Sequence, residues 1–120
     1  MKLQSMCEVM ILQKDEIVSG FVQELRRGTL ILCVLAKLRE PTYGLGLIAA
    51  LQGTGISIEA NTLYPLLRRL EEQGLLTSTW NTEGAKPRKY YEVTEFGKDV
   101  LDTMRERWFK TAESMNEILK

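Results

Sequence analysis

The chain has 120 residues, of which 44% are hydrophobic and 27% are charged, so it suits one folded domain rather than two. Its 16 basic and 16 acidic residues cancel, which excludes nucleic-acid binding by bulk positive charge but not by a local basic patch. The lack of histidine, with Cys7 and Cys33 as the only cysteines, excludes Ser-His and Cys-His catalytic pairs and a Cys₄ zinc site. We therefore expect no enzyme activity, no cofactor and no metal.

The apolar segments predict a soluble, cytoplasmic protein with reduced thiols. The longest one, Thr29 to Leu38, spans about 10 residues and contains Lys37, whereas a bilayer crossing needs ~20. Glu8 interrupts the first apolar run and no small-residue cleavage site follows it, which argues against a signal peptide. The role of residues 1–14 stays open between a flexible lead and an additional dimer contact.

Two helices are predicted in the first half of the chain. Apolar residues at helical spacing indicate the first over residues 15–38, where Gly28 weakens the middle and Thr29 is suited to cap a second helical piece. Pro41 forces a break, because the residue before proline avoids helical angles. A short helix over residues 43–52 then follows.

A third helix is predicted over residues 60–73 by leucines at i, i+3, i+4 and i+7. Proline is tolerated only in the first turn, so Pro65 places the start near Asn61, which is a suitable N-cap. Gly74 is suited to end the helix. The face opposite the leucines carries polar and aromatic residues: Asn61, Tyr64, Pro65, Arg68 and Glu72.

A β-hairpin follows the third helix, because the periodicity changes from 3.6 to 2. Its strands are predicted over residues 76–80 and 88–93, with Lys89, Tyr91 and Val93 on one side of the second strand. The polar loop between them ends in three positive charges within four residues: Lys86, Arg88 and Lys89.

The last predicted element is a helix of about 25 residues that begins after Thr94, a plausible N-cap followed by a favourable Glu95. Its apolar positions follow the 3-4 spacing of a coiled coil. We call the positions with this spacing, among which Thr111 is a polar interruption, the C-terminal stripe: Leu101, Met104, Trp108, Thr111, Met115 and Ile118. A single helix with such a stripe needs a partner, so we expect a two-fold dimer through Leu101, Met104, Trp108, Met115 and Ile118, together with the N-terminal helix.

This order of elements predicts a mainly α fold with a small two-stranded hairpin (α+β): a winged helix-turn-helix. Residues 1–93 form the DNA-binding domain with an N-terminal helical extension, and residues 94–120 form a long C-terminal dimerisation helix. In such folds the third helix enters the major groove and the hairpin, or wing, touches the flanking backbone. The candidate DNA contacts are Asn61, Thr62, Tyr64, Arg68 and Arg69 on the helix, and Lys86, Arg88 and Lys89 on the wing.

Four segments carry a resemblance to a known family. Thr62-Leu63-Tyr64-Pro65 and, further on, Arg88-Lys89-Tyr90-Tyr91 resemble motifs of the PadR family of transcriptional regulators, as do Tyr43-Gly44 and Thr94-Glu95-Phe96-Gly97. The resemblance covers residues 25–108 and fits the short subgroup with one C-terminal helix. The chain departs from the family pattern at Asn61, where glycine is frequent, and at Gly46, where glutamate is common.

The resemblance implies a homodimeric winged-helix protein, usually a repressor, that binds a pseudo-palindromic DNA operator. In some members of the short subgroup, tryptophans of the C-terminal helix face each other across the dimer and stack planar aromatic molecules. Trp108 occupies the matching place, and Met104 is a suitable lining residue, so a small aromatic effector is expected there. A plain interface role for Trp108 is the alternative.

Two other interpretations compete with DNA binding. In the first, Asn61 is only a cap, the arginines are solvated surface residues and the basic hairpin is an ordinary one. The chain would then be a winged-helix module for protein–protein contacts, an interpretation that the zero net charge favours. An enzyme is disfavoured because no nucleophile and base pair or phosphate-binding glycine loop is present. The operator, the target gene, the effector and the direction of regulation are not encoded in any of these patterns.

Overall fold

The computed structural model describes residues 2–120, with side chains from residue 4 onward; residue 1 and the side chains of residues 2 and 3, part of the segment 1–14, lie outside this description. The elements in chain order are α1 (Lys2–Lys37), β1 (Thr42–Tyr43), α2 (Gly44–Gly53), α3 (Ala60–Glu72), β2 (Leu76–Asn81), β3 (Arg88–Val93) and α4 (Glu95–Ile118). The chain divides into two compact units, one that ends at Leu30 and one that spans Ile31–Lys120.

The first unit is helical, and the predicted division of the first helix at Gly28 and Thr29 is wrong. The Thr29 hydroxyl donates to the carbonyl oxygens of Arg26 (3.1 Å) and Leu25 (3.3 Å), so it bonds back into the preceding turn instead of capping a new helix. Helix α1 therefore runs without a break from Lys2 to Lys37. Many apolar side chains of this unit are exposed within the single chain: Met6, Val9, Met10, Ile11, Leu12, Ile17, Val18, Phe21, Val22 and Leu25.

The second unit holds the hydrophobic core. Side chains from the end of α1 are buried together with those of α2, α3, the sheet and the start of α4: Val34, Leu35, Leu38, Leu47, Leu51, Ile58, Leu63, Leu67, Leu70, Leu75, Leu76, Tyr91, Val93 and Leu101. Burial raises the pKa of the Cys33 thiol, and the charge of Lys37 offsets part of this effect. The Cys33 thiol is therefore protonated and weakly nucleophilic at neutral pH.

Helix α3 begins at Ala60, the first residue of the predicted range, but the assignment of Asn61 as its N-cap is wrong. The cap is Glu59, whose extended backbone lets its carbonyl oxygen accept from the N–H groups of Thr62 and Leu63. Asn61 is thus inside the helix and its side chain is exposed. Pro65 lies in the helix interior, where it has no N–H to donate to the Asn61 carbonyl oxygen.

The end of α3 confirms the role predicted for Gly74. Gly74 has a φ of +80°, and its N–H donates to the carbonyl oxygen of Glu71. The N–H of Leu75 donates to the carbonyl oxygen of Leu70. This pair of bonds is a Schellman motif, which glycine favours because it adopts positive φ without strain. The motif turns the chain directly into β2.

The predicted hairpin is present, but it belongs to a three-stranded antiparallel sheet with the order β1-β3-β2. Strands β2 and β3 pair in a register that sets Ser78 opposite Tyr91 and Trp80 opposite Lys89. The additional strand β1 pairs Tyr43 with Tyr90. A two-residue strand has no visible periodicity, which is why the sequence did not predict it.

Helix α4 begins as predicted, with Thr94 as N-cap. The Thr94 hydroxyl accepts from the N–H of Gly97 (2.9 Å) and donates to the carbonyl oxygen of Gly74 (2.7 Å). Leu101 of the C-terminal stripe is 3% exposed and belongs to the chain's own core, whereas Trp108, Met115 and Ile118 are 44%, 42% and 74% exposed. In residues 2–120, no helix combines the length and the apolar character needed to cross a membrane.

Candidate nucleic-acid interface

Helix α3 presents a polar face to solvent because its opposite face is anchored in the core. Leu63, Leu67 and Leu70 are buried, which fixes the rotation of the helix about its axis. All five helix residues predicted to contact DNA are consequently exposed: Asn61, Thr62, Tyr64, Arg68 and Arg69. Amide, hydroxyl and guanidinium groups of this kind contact base edges and phosphates when a helix enters the major groove.

Tyr64 lies against the first residue of α2. A β-carbon at Gly44 would stand 2.5 Å from the Tyr64 hydroxyl oxygen and 2.6 Å from its ring carbon Cε1. Only glycine allows this approach, so Gly44 is required wherever Tyr64 adopts this position. The contact brings the Tyr43-Gly44 pair against the segment Thr62-Leu63-Tyr64-Pro65.

The wing places its cations on two different faces. Arg88 stacks on the ring of Tyr43, with its guanidinium carbon 4.4 Å from the ring centroid, and Tyr43 makes an edge contact with Tyr90. Lys89, the next residue, points to the other face, since side chains alternate along a strand. Its Nζ lies 5.4 Å from the centroid of Tyr91.

Lys89 differs from the other two wing cations in a second respect. Its Nζ is 3.8 Å from Oε1 of Glu71, near the end of α3, and its side chain is half-buried. Lys86 and Arg88 are exposed. The three charges that are close in sequence are therefore not equivalent in space: two are accessible, and one is turned towards α3.

A groove of about 580 Å³ joins α3 to the wing. Tyr64 of α3 lines it together with all three wing cations, so these four predicted residues border one groove although Arg88 and Lys89 leave β3 on opposite faces. The remaining lining residues are Tyr43, Gly44, Leu45, Trp80, Pro87 and Tyr91. Sequence reasoning missed Tyr43 and Trp80 as surface residues, although Trp80, opposite Lys89 on the wing, is 65% exposed.

The two residues predicted to bind an effector lie on α4, apart from the groove residues. Met104 is half-buried, and the exposed Trp108 makes an edge contact with Phe109, with ring centroids 5.4 Å apart. Both belong to the C-terminal stripe, and Trp108 is one helical turn beyond Met104.

The sequence profile of the transcriptional regulator PadR-like family matches residues 31–103. The chain belongs to this family. The match spans α2, α3, the three strands and the first turns of α4, which are the elements that build the groove and the exposed face of α3. Family membership makes the chain a DNA-binding transcriptional regulator, a class distinct from enzymes.

Two solved structures and one related protein sequence agree with this assignment. A PadR family transcriptional regulator from Eggerthella lenta is 51% identical, with a TM-score of 0.85 over 91% of this chain and 97% of that one. A PadR-like transcription factor from Bacteroides fragilis is 34% identical, with a TM-score of 0.68 over 82% and 98% of the two chains. The transcriptional regulator Rv3488 of Mycobacterium tuberculosis is 31% identical over 81 residues, which are 67% of this chain and 76% of that protein.

Proposed function

We propose that this PadR-like chain is a cytoplasmic repressor that binds a pseudo-palindromic DNA operator as a homodimer. The observation that carries the proposal is the groove that unites Tyr64 of α3 with the accessible wing cations Lys86 and Arg88. A helix in the major groove and a wing on the flanking backbone need this juxtaposition, because phosphates and base edges are contacted at the same time.

The exposed face of α3 supplies the proposed sequence readout. Asn61 is suited to a bidentate contact with adenine, and Arg68 to one with guanine. Thr62, Tyr64 and Arg69 are suited to phosphate oxygens, as are Lys86 and Arg88 on the wing. Lys89 is the exception among the residues predicted from sequence, because its Nζ faces the Glu71 carboxylate.

The C-terminal stripe supports the proposed dimer. Trp108, Met115 and Ile118 are exposed in the single chain, and burial of each such side chain contributes about 1.5–3 kcal/mol. A second copy of α4 offers the same stripe in return, as a two-fold interface requires. Two α3 helices related by this axis would read half-sites separated by about one turn of DNA or a multiple of it.

The DNA proposal is tested by selecting duplexes from the region upstream of the gene and titrating them by fluorescence anisotropy at several salt concentrations. We expect sub-micromolar binding to one sequence, with affinity that falls steeply as salt rises. Arg68→Ala should relax the preference at one base pair in each half-site, at a cost of about 1–3 kcal/mol.

The control for Arg68→Ala is Glu72→Gln, a substitution one turn further along the same exposed face. It should leave base preference unchanged. Weak binding to every duplex, independent of salt, would reject a DNA regulator and favour the module for protein–protein contacts. Repression itself is checked with a reporter driven by the selected duplex, where activation of the reporter would contradict the repressor role.

We also propose that Trp108 and Met104, paired with the same residues of a second copy, receive a planar aromatic effector that releases the dimer from DNA. An exposed tryptophan beside a flexible thioether suits stacking of flat ligands. A panel of planar cationic aromatics should quench the fluorescence of Trp108 in a Trp80→Phe variant and weaken operator binding. Unchanged fluorescence across the panel would remove the effector and leave Trp108 as an interface residue.

A further inference from the structure

The Glu71 carboxylate contacts both strands of the wing. The hydroxyl of Ser78, on β2, donates a hydrogen bond to Glu71 Oε2. The Nζ of Lys89, on β3, lies 3.8 Å from Glu71 Oε1. Because Glu71 belongs to α3, one side chain joins the helix that carries the predicted base contacts to both strands of the hairpin.

The register of the sheet explains how two strands reach one carboxylate. Ser78 is opposite Tyr91, and Lys89 precedes Tyr91 by two positions, so the side chains of Ser78 and Lys89 are on the same face of the sheet. Buried Leu76 and Val93 identify that face as the one against the core. The Glu71 and Lys89 side chains are 32% and 36% exposed, so solvent and salt screen the pair less than they screen a fully exposed ion pair.

We propose that Glu71 is a positioning residue that fixes the angle of the wing relative to α3, and that Lys89 acts in this clamp instead of binding phosphate. The inference rests on the proposed function, since the angle matters only if α3 and the wing contact one duplex. The neighbouring side chains of Lys86 and Arg88 do not pair with the Glu71 carboxylate and are exposed, so they stay available to phosphates. The clamp consequently reduces the wing's phosphate contacts from three cations to two.

The clamp can be tested without DNA by hydrogen exchange of the free protein. Glu71→Ala should increase the exchange of wing amides at residues 78–81 and 88–90 by about fivefold, because the hydrogen bond and the ion pair to α3 are both lost. Glu72→Ala is the matched control, since it removes a carboxylate from the next, exposed position of the same helix, and it should leave these amides unchanged. Equal exchange in the two variants would overturn the clamp.

Conservative variants separate its two contacts. Glu71→Gln keeps an acceptor oxygen for Ser78 but loses the charge that faces Lys89, and Ser78→Ala does the reverse. Each should raise wing exchange less than Glu71→Ala does. An unaltered wing in both variants, with a change in Glu71→Ala alone, would indicate general damage to α3 and would contradict the proposal.

The salt dependence of operator binding tests the assignment of Lys89. Lys86→Ala should lower the slope of log affinity against log salt by about 1, as the loss of one phosphate contact does. Lys89→Ala should weaken binding by about fivefold with the slope unchanged, because the wing is no longer held in position relative to α3 whereas no phosphate contact is lost. A slope that falls in Lys89→Ala as it does in Lys86→Ala would overturn the assignment. Failure of the unmodified protein to bind any duplex would reject the proposed function, while the exchange experiment still decides the clamp.

Discussion

At the scale of single residues, the structure explains why two positions require glycine: a β-carbon there would overlap with neighbouring atoms. Gly44 leaves room for the ring of Tyr64, and a β-carbon at Gly97 would collide with the backbone carbonyl oxygen of Leu75 and with Val93 Cγ2. In the sequence both glycines were visible only as parts of motifs, because the atoms that enforce them come from distant segments. Their physical cause could not be predicted before the tertiary packing was known.

Gly97→Ala is expected to destabilise the protein by about 1–3 kcal/mol, because the backbone of Leu75 cannot move aside as a flexible side chain would. The measurement is urea denaturation followed by circular dichroism. Gly53→Ala, at the end of α2, is the control: beyond the neighbouring residues and the backbone of its own helix, no atom lies within 4 Å of the added carbon. A Gly97→Ala protein as stable as the Gly53→Ala protein would contradict this account.

At the scale of elements, strong periodicity gave reliable predictions. The structure confirms the helix predicted from the leucine spacing of α3 and the strands predicted from the alternation of β2 and β3. Each pattern extends over enough residues to distinguish the helical period of 3.6 from the strand period of 2. The errors have local causes. The glycine at position 28 is unfavourable in a helix, yet α1 continues through it, and β1 depends on pairing with β3, which is remote in sequence.

Thr94→Ala is expected to lower stability by about 1–2 kcal/mol, since the hydroxyl caps α4 and also bonds to the turn after α3. Thr94→Ser retains both hydrogen bonds and should recover most of the loss. Thermal unfolding of the two variants checks the prediction. An alanine variant with the melting temperature of the unmodified protein would show that neither bond contributes.

The exposed face of α3 could be predicted from a helical wheel, but the clamp could not be predicted. The wheel needs only one element, and it placed Asn61, Tyr64 and Arg68 correctly in solvent. The alternation of β3 already separates Arg88 from Lys89, a signal that the count of three nearby cations overlooked. Which of the two meets a carboxylate depends on how α3 packs against the sheet, and that is tertiary information.

At the scale of the whole molecule, a chain of zero net charge that binds DNA must rely on where its charges lie. On α3 and the wing, one copy offers only four exposed cations: Arg68, Arg69, Lys86 and Arg88. A dimer doubles this number, and once one copy is bound, binding of the second copy to its half-site becomes an intramolecular step. Dimerisation is therefore as important for the proposed affinity as the contacts themselves.

Met115→Lys is expected to convert the proposed dimer into monomers at micromolar concentration, because a charge would be buried in the largely apolar C-terminal stripe. Operator affinity should fall by about a hundredfold or more, since the gain from linked half-sites is lost. Molar mass by light scattering and anisotropy titration measure the two effects. Glu113→Lys, on the opposite side of α4, places the same group away from the stripe and should preserve the dimer. A dimer that survives Met115→Lys would show that α4 is not the interface and that another apolar surface joins the two copies.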